Sequence, residues 1–198
     1  MTRAFDLLAA VTGLMLLLPF LVLIALFIKL EGKGPVFFRQ VRVGRGGHPF
    51  RIWKFRTMVV NAEALGRPIT VGADPRITRT GVWLRKWKLD ELPQLFNVLV
   101  GEMAFVGPRP EVPRYVALYT QAQRKVLDLR PGITDLASIA YREESELLKD
   151  HEDPEAYYIR KILPDKIRIN LDYASKSTTY RNLKVILATL GFLSVRKV

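Results

Sequence analysis

The chain has 198 residues, 31 Lys and Arg against 19 Asp and Glu for a formal net charge of +12, and no cysteine. That length supports one catalytic-size domain with a real core. The missing cysteines exclude disulfides and thiol chemistry, and the positive charge points to anionic partners, lipid head groups and nucleic acid alike.

Mean hydropathy of +0.09 is rich for a soluble chain, and the excess is local. From Leu7 to Ile28 no residue is charged. A helix over this run is about 33 Å long, enough to cross a bilayer core. Its Leu, Ile, Val and Phe residues favour insertion by roughly 5 to 9 kcal/mol. The run is too long for a signal-peptide core, and Phe27-Ile28-Lys29-Leu30 offers no small-residue cleavage site. A plain spanning helix satisfies the length. Pro19, however, removes a backbone hydrogen bond near the middle and bends the helix. Cations flank both ends, Arg3 before and Lys29 and Lys33 after, so the positive-inside rule names no outer side. A bent segment that enters and leaves by one face satisfies both facts. Residues 1–33 are read as the membrane segment and 34–198 as the catalytic domain.

Pro35 to Val43 and Pro49 to Met58 are rich in Val, Phe, Ile and Trp, and Gly44-Arg45-Gly46-Gly47-His48 between them is turn chemistry, so the pattern predicts a β-hairpin. In a regular second strand Lys54 and Arg56 share a face two positions apart, either bracketing a phosphate or facing solvent. The glycine-rich turn lacks the lysine and Ser/Thr of a phosphate loop. Asn61 to Arg79 reads as a loop around Asp74-Pro75. Gly81 to Lys88 reads as a short amphipathic helix whose Trp83, Leu84 and Trp87 lie in the core or in a membrane interface.

The segment Lys88 to Pro110, KLDELPQLFNVLVGEMAFVGPRP, carries the most chemistry. Leu92, Leu95, Phe96 and Leu99 recur at i, i+3, i+4 and i+7, and Gly101 follows, which predicts a buried helical stripe with a glycine stop. Asp90 falls at the N-cap and Pro93 in the first turn, where proline costs little. The unpaired N–H groups and dipole of such a start favour a carboxylate or a phosphate. Two acids there are commonly an N-cap and a first-turn residue. Their company argues for more: Arg85, Lys86 and Lys88 precede them, and Arg109 sits between Pro108 and Pro110 on a stiff arm suited to fork onto a phosphate.

Glu111 to Leu129 and Pro154 to Ile169 read as helices, the second broken at Pro164. The acidic run Glu143 to Asp153 reads as a solvated helix face and turn. His48 and His151 have no ligand spacing. Asn182 to Leu193 has apolar residues at helical spacing, followed by Arg196 and Lys197, and either packs on the domain or lies along a membrane surface.

Taken together, the Lys88–Pro110 segment, Arg3-Ala4-Phe5-Asp6 before the apolar run, Lys54-Phe55-Arg56-Thr57-Met58, and Arg130-Pro131-Gly132-Ile133-Thr134 resemble the signature of the bacterial sugar transferase family, the monotopic polyprenyl-phosphate phosphoglycosyl transferases. The resemblance runs from residue 3 to about 135. It implies an α+β fold: a re-entrant helix-break-helix bent at Pro19, then a helix-rich cytoplasmic domain with a β-hairpin and interfacial amphipathic helices. It implies transfer of a sugar-1-phosphate from a UDP-sugar to undecaprenyl or another polyprenyl phosphate with release of UMP, the first membrane step of surface glycan assembly. In that scheme Asp90 is the nucleophile and Glu91 a Mg²⁺ ligand. Lys54, Arg56, Arg85, Pro108, Arg109, Pro110 and Arg130 bind substrate, and the enzyme sits at the cytoplasmic face of the bacterial inner membrane. Nucleic acid is not expected as a partner. Two positions depart from the pattern: Leu18 stands where many members carry Ser before the bend proline, and Asp135-Leu136-Ala137-Ser138 replaces Gly-Trp-Ala-Gln in a region expected to shape the sugar pocket. The alternative from charge alone is a membrane-tethered module binding anionic lipid or nucleic acid, which leaves the carboxylate pair unexplained. A Mg²⁺-dependent phosphodiesterase would use the same acids but release free sugar phosphate.

Overall fold

A computed structural model describes residues 3–65, 70, 72 and 74–191. The leucine-rich N-terminal run forms α1 (Arg3–Glu31), which passes through Pro19 as one continuous helix. A proline removes a single backbone bond, and the remaining turns keep the helix whole. The expected break at Pro19 is therefore not an interruption of the helix. By length and composition α1 is able to cross a membrane. Its inner stripe, including Ala10, Leu21, Ile24 and Ile28, is buried against the domain, while Leu8, Met15, Leu16, Leu23, Phe27 and Leu30 are exposed.

The next residues fold as expected into an antiparallel hairpin, β1 (Phe37–Val43) and β2 (Pro49–Phe55), in register from Phe37 opposite Phe55 to Val43 opposite Pro49. Its turn uses Gly46 and Gly47 at φ of +68° and +80°, a region open to glycine. β2 stops at Phe55, short of the expected Met58, which forms an isolated bridge with Ile77 instead. Helix α2 (Arg79–Lys86) begins at Thr78, whose side chain caps the N–H of Gly81 at 3.0 Å. Its inward residues are Gly81 and Leu84; Trp83 and Trp87 are exposed, so the core reading of the two tryptophans is corrected.

The Asp90 segment also differs from expectation. Lys88 adopts a left-handed conformation (φ +55°) as N-cap, residues Leu89–Gln94 form a 3₁₀ helix, and only then does α3 (Leu95–Val100) begin, ending at Gly101 with φ +90°. Asp90 thus lies inside the first turn rather than at the cap. A 3₁₀ helix closes in 3.0 residues, which shifts the stripe. Leu92, Leu95 and Leu99 still pack inward, but Phe96 remains partly exposed against Trp53, and Gln94, Asn97 and Val98 are buried.

Asn97 ties α3 to the hairpin. β2 pairs only with β1, so its outer edge would leave backbone groups unpaired. Asn97 Oδ1 accepts from Trp53 N at 2.9 Å, and Nδ2 donates to Arg51 O at 3.0 Å and to Glu102 Oε2 at 2.7 Å.

Beyond it, β3 (Ala104–Val106) leads to α4 (Pro113–Val116), α5 (Gln121–Arg124) and a 3₁₀ turn at Lys125–Asp128. The single helix expected over Glu111–Leu129 is in pieces because Thr120 and Gln123 form a capping box that starts a new helix. β4 (Gly132–Thr134) then pairs parallel to β3.

The remainder is helical: α6 (Leu136–Ala140), α7 (Glu144–Lys149), α8 (Pro154–Tyr157), α9 (Leu163–Ala174) and α10 (Thr179–Thr189). The expected break at Pro164 is absent: α8 and α9 are joined by a π turn at Tyr158–Ile162, and Pro164 sits in the first turn of α9. Within the acidic run Leu148 is buried and Glu144 pairs with Lys166. Leu193, Arg196 and Lys197 lie outside the described residues. The architecture is the expected mixed, helix-rich one, with two-stranded pairings in place of a large sheet.

Gly81 marks a close approach, since a Cβ built there would lie 2.1 Å from Thr57 O. Gly81→Ala is expected to destabilise the fold by about 1–3 kcal/mol, read as a lower thermal midpoint. An unchanged midpoint would show that α2 and the Thr57 loop separate freely.

Candidate active site

Asn97 fixes the edge of β2 at Trp53, and the next residue, Lys54, reaches the 3₁₀ helix: its Nζ lies 2.8 Å from Glu91 Oε1. Arg109 comes to the same carboxylate from the far side. Its Nη1 donates to Glu91 Oε2 at 2.9 Å, and its Nη2 to Oε1. Burial by itself pushes the Glu91 carboxyl up, but the charges and hydrogen bonds of Arg109 and Lys54 together hold it well below the usual carboxylate range. Burial likewise lowers Lys54, against the attraction of Glu91. The charge of Glu91, opposed by burial, raises Arg109.

Asp90 is in the opposite condition. It is buried, yet among the described residues its carboxylate has no hydrogen-bond partner. Burial raises its pKa, Glu91 adds to the rise, and Lys54, Arg85 and Arg109 oppose it. Successive residues of a 3₁₀ helix point roughly 120° apart. One acid is therefore clamped as an anion, and the other is left with free oxygens among cations. Chemically, such an arrangement is able to offer one carboxylate to an electrophile while cations beside it neutralise charge, a division of tasks open to neighbouring carboxylates in unlike surroundings.

The arm carrying Arg109 is held on both sides. Gly132 N donates to Pro108 O at 3.1 Å, and Arg42 Nη1 donates to Pro110 O at 3.2 Å. Arg42 also bonds Gln40 Oε1 at 2.8 Å and lies 3.9 Å from Glu111, which in turn accepts from the Tyr158 hydroxyl and, through its carbonyl, from Val43 N. Sequence reasoning missed Arg42. On a strand it reads as one more solvated cation, and closure of the arm over the hairpin is what brings Pro110 O and Glu111 to it.

The other expected residues divide. Arg85 belongs with the site: its charge acts on Asp90, and it is aimed by Nε to Thr57 Oγ1 at 2.9 Å and Nη1 to Thr70 Oγ1 at 3.1 Å. Pro108 and Pro110 frame Arg109 as expected. Arg56 does not join Lys54 around one phosphate. Its guanidinium is buried and donates to Ile28 O at 3.1 Å, Gly32 O at 3.0 Å and Lys33 O at 2.9 Å, so it caps the end of α1. Arg130 lies apart from this cluster and lines a cavity that Lys54, Asp90, Glu91 and Arg109 do not border.

Among the described residues, no group of three or more His, Cys, Asp or Glu could hold a metal by itself. Mg²⁺ asks for less: one or two carboxylates, with water and substrate phosphates completing its shell. Asp90 has free oxygens, and Glu91 Oε2 accepts one hydrogen bond among the described residues, leaving a lone pair. The acids present fit such an ion when it arrives with a diphosphate.

The chain is similar in sequence to several known proteins. The chain is 40% identical over 165 residues to a UDP-N-acetylgalactosamine-undecaprenyl-phosphate N-acetylgalactosaminephosphotransferase of Aeromonas hydrophila, covering 80% of this chain and 38% of that protein. It is 35% identical over 198 residues to a UDP-glucose:undecaprenyl-phosphate glucose-1-phosphate transferase of Escherichia coli, covering 97% of this chain and 40% of that one. A protein of Caulobacter vibrioides with the same activity in its name is 36% identical over 203 residues, with 96% and 68% covered. The chain thus spans about two fifths of the length of the first two relatives. The profile of the bacterial sugar transferase family matches residues 1–196, and the chain belongs to that family.

Proposed function

We propose that this chain is a phosphoglycosyl transferase that moves a sugar-1-phosphate from a UDP-sugar to undecaprenyl phosphate or a related polyprenyl phosphate. The observation that carries the reading is the unequal state of two adjacent buried acids, Glu91 clamped by Lys54 and Arg109, and Asp90 unbonded among cations. The names of the relatives supply the donor and acceptor classes. Those names differ in the sugar, so the sugar is left to a panel of donors.

In the first step an Asp90 oxygen attacks the phosphorus that bears the sugar. The new O–P bond forms as the bond to the bridging oxygen breaks, and UMP leaves with that oxygen. Arg109, Lys54 and Arg85 surround the diphosphate and offset its charge, so the transition state gains from donors already in place. In the second step a phosphate oxygen of the polyprenyl phosphate attacks the aspartyl phosphate, and Asp90 leaves as a carboxylate. Glu91 would hold a Mg²⁺ ion arriving with the donor, and the ion would supply further neutralisation of charge on the diphosphate. A covalent route divides one hard displacement between two polyanions into two easier ones.

The same proposal places residues 1–33 in the membrane as a re-entrant segment, with 34–198 as the catalytic domain on the cytoplasmic face of the bacterial inner membrane. Support comes from both ends of α1 being tied to one domain. At the start, Arg3 donates to Val98 O at 2.5 Å and Leu99 O at 2.8 Å. At the end, Arg56 caps Ile28 and Gly32, and Glu31 accepts from Thr80 N at 3.1 Å. A straight spanning helix would put those ends on opposite faces of a hydrocarbon core about 30 Å thick. Exposed Trp83 and Trp87 on α2 suit the interface.

Three outcomes are expected. Asp90→Asn should cut Mg²⁺-dependent UMP release at least about 10³-fold while the protein stays folded and membrane-bound; appreciable turnover would remove Asp90 as nucleophile. Because Asp90 must be ionised to attack and its pKa is raised, activity should fall as pH drops through a midpoint above the ordinary Asp value. Lys54 is one of the charges that lowers that pKa, so Lys54→Met should move the acid limb of kcat/KM to higher pH, and a limb that stays put would assign it to another group. Finally, the native chain lacks cysteine, so single cysteines at Ala4 and Gly32 report topology directly. Labelling of both from the cytoplasmic side only fits a re-entrant segment; labelling from opposite sides means it spans.

A further inference from the structure

A cavity of about 280 Å³ borders Gly107 and Pro108 but none of Lys54, Asp90, Glu91 or Arg109. Three arginines reach it from separate parts of the chain: Arg3 at the start of α1, Arg45 in the hairpin turn and Arg130 just before β4. Arg3 is oriented by its bonds to the carbonyls of Val98 and Leu99, and Arg45 by Nε donating to Asp128 O at 3.1 Å. Among the described residues Arg130 has no hydrogen-bond partner.

Two buried primary amides add unused donors. Asn170, only 7% exposed, lines the cavity, and its side chain has no partner among the described residues. Asn182, 5% exposed, accepts from the Tyr173 hydroxyl at 2.7 Å through Oδ1, which leaves its N–H₂ unbonded among the described residues. Both residues line the cavity, so these unused donors are available to a ligand inside it.

Two carboxylates also line the cavity, against three arginines, so the lining keeps a net positive charge. Asp135 receives Ser138 N at 2.9 Å and Ser138 Oγ at 2.5 Å, and Asp6 Oδ1 receives Phe105 N at 3.4 Å. What remains facing the cavity is donor-rich and cationic, and the space far exceeds the roughly 30 Å³ share of one water. Guanidinium groups with amide N–H donors match a phosphate. The cavity also lies at the first turn of α1, where Phe5, Leu8 and Val11 are exposed apolar residues at the start of the lipid-facing side.

We propose that this cavity is a phosphate site, distinct from the one at Asp90, which seats the head group of an anionic lipid where the apolar helix begins. The shared chemistry is a phosphate ester, and a soluble phosphate is the other source of it. The test uses the full chain in a zwitterionic detergent, titrated by native mass spectrometry with short-chain phosphatidylglycerol and, separately, with inorganic phosphate. Asn170→Asp keeps the side chain's shape and adds a negative charge; Arg130→Gln removes a positive one.

One phosphatidylglycerol retained per chain, weakened at least fivefold in both variants with unchanged circular dichroism, is the expected result. Weakening confined to inorganic phosphate would keep the phosphate site but reassign its occupant to a soluble ester. Equal retention of both ligands by wild type and folded variants would overturn the proposal. Should Asn170→Asp fail to fold, Arg45→Gln, at an exposed side chain, carries the same comparison.

Discussion

The salt-bridged carboxylate of Glu91 holds three separate segments in register. Lys54 arrives from a strand, Glu91 from a 3₁₀ helix and Arg109 from an arm between prolines, and their charged ends meet with little access to water. A buried ion pair is weak evidence for stability, because desolvation offsets much of the attraction. Its effect on geometry is another matter. Removing Glu91 leaves two cations without their counter-charge, at a cost of about 3–5 kcal/mol, so the segments are selected for the single arrangement that brings all three together.

The local backbone serves that arrangement. Left-handed Lys88 and the 3₁₀ turn after it rotate Asp90 and Glu91 apart, so that Glu91 meets both cations while Asp90 meets no donor among the described residues. Asn97 does the corresponding work on the strand side, pairing the backbone of Arg51 and Trp53 immediately before Lys54 departs. Arg42 and Gly132 do it for the arm by holding the two proline carbonyls. None of these three touches Glu91, and each determines where a residue that does touch it must point.

That division explains what the sequence made legible. The hairpin, the apolar helix, the Arg109 arm and the acid pair were all visible because strand alternation, hydropathy and proline stiffness are local properties. Arg56 was misplaced because its partners, the carbonyls of Ile28, Gly32 and Lys33, lie more than twenty residues away and have no side-chain signature. The exposure of Trp83 and Trp87 followed from which side of a two-turn helix Gly81 allows to approach Thr57, again a long-range contact. The shift of Phe96 out of the buried stripe came from a 3₁₀ period where an α period was assumed.

The clamp need not open for substrate to bind. A lysine ammonium has three donors, and Lys54 uses one on Glu91; an arginine has five, and Arg109 uses two. The unused N–H groups remain beside Asp90, already oriented by the bonds that are made. A diphosphate entering this site therefore finds donors whose rotamer freedom was lost on folding rather than on binding, which is where preorganised sites gain both affinity and rate. Had Glu91 been absent, the same cations would repel one another across a buried space and disperse. The acid that does not attack is thus what keeps the phosphate-binding cations next to the acid that can.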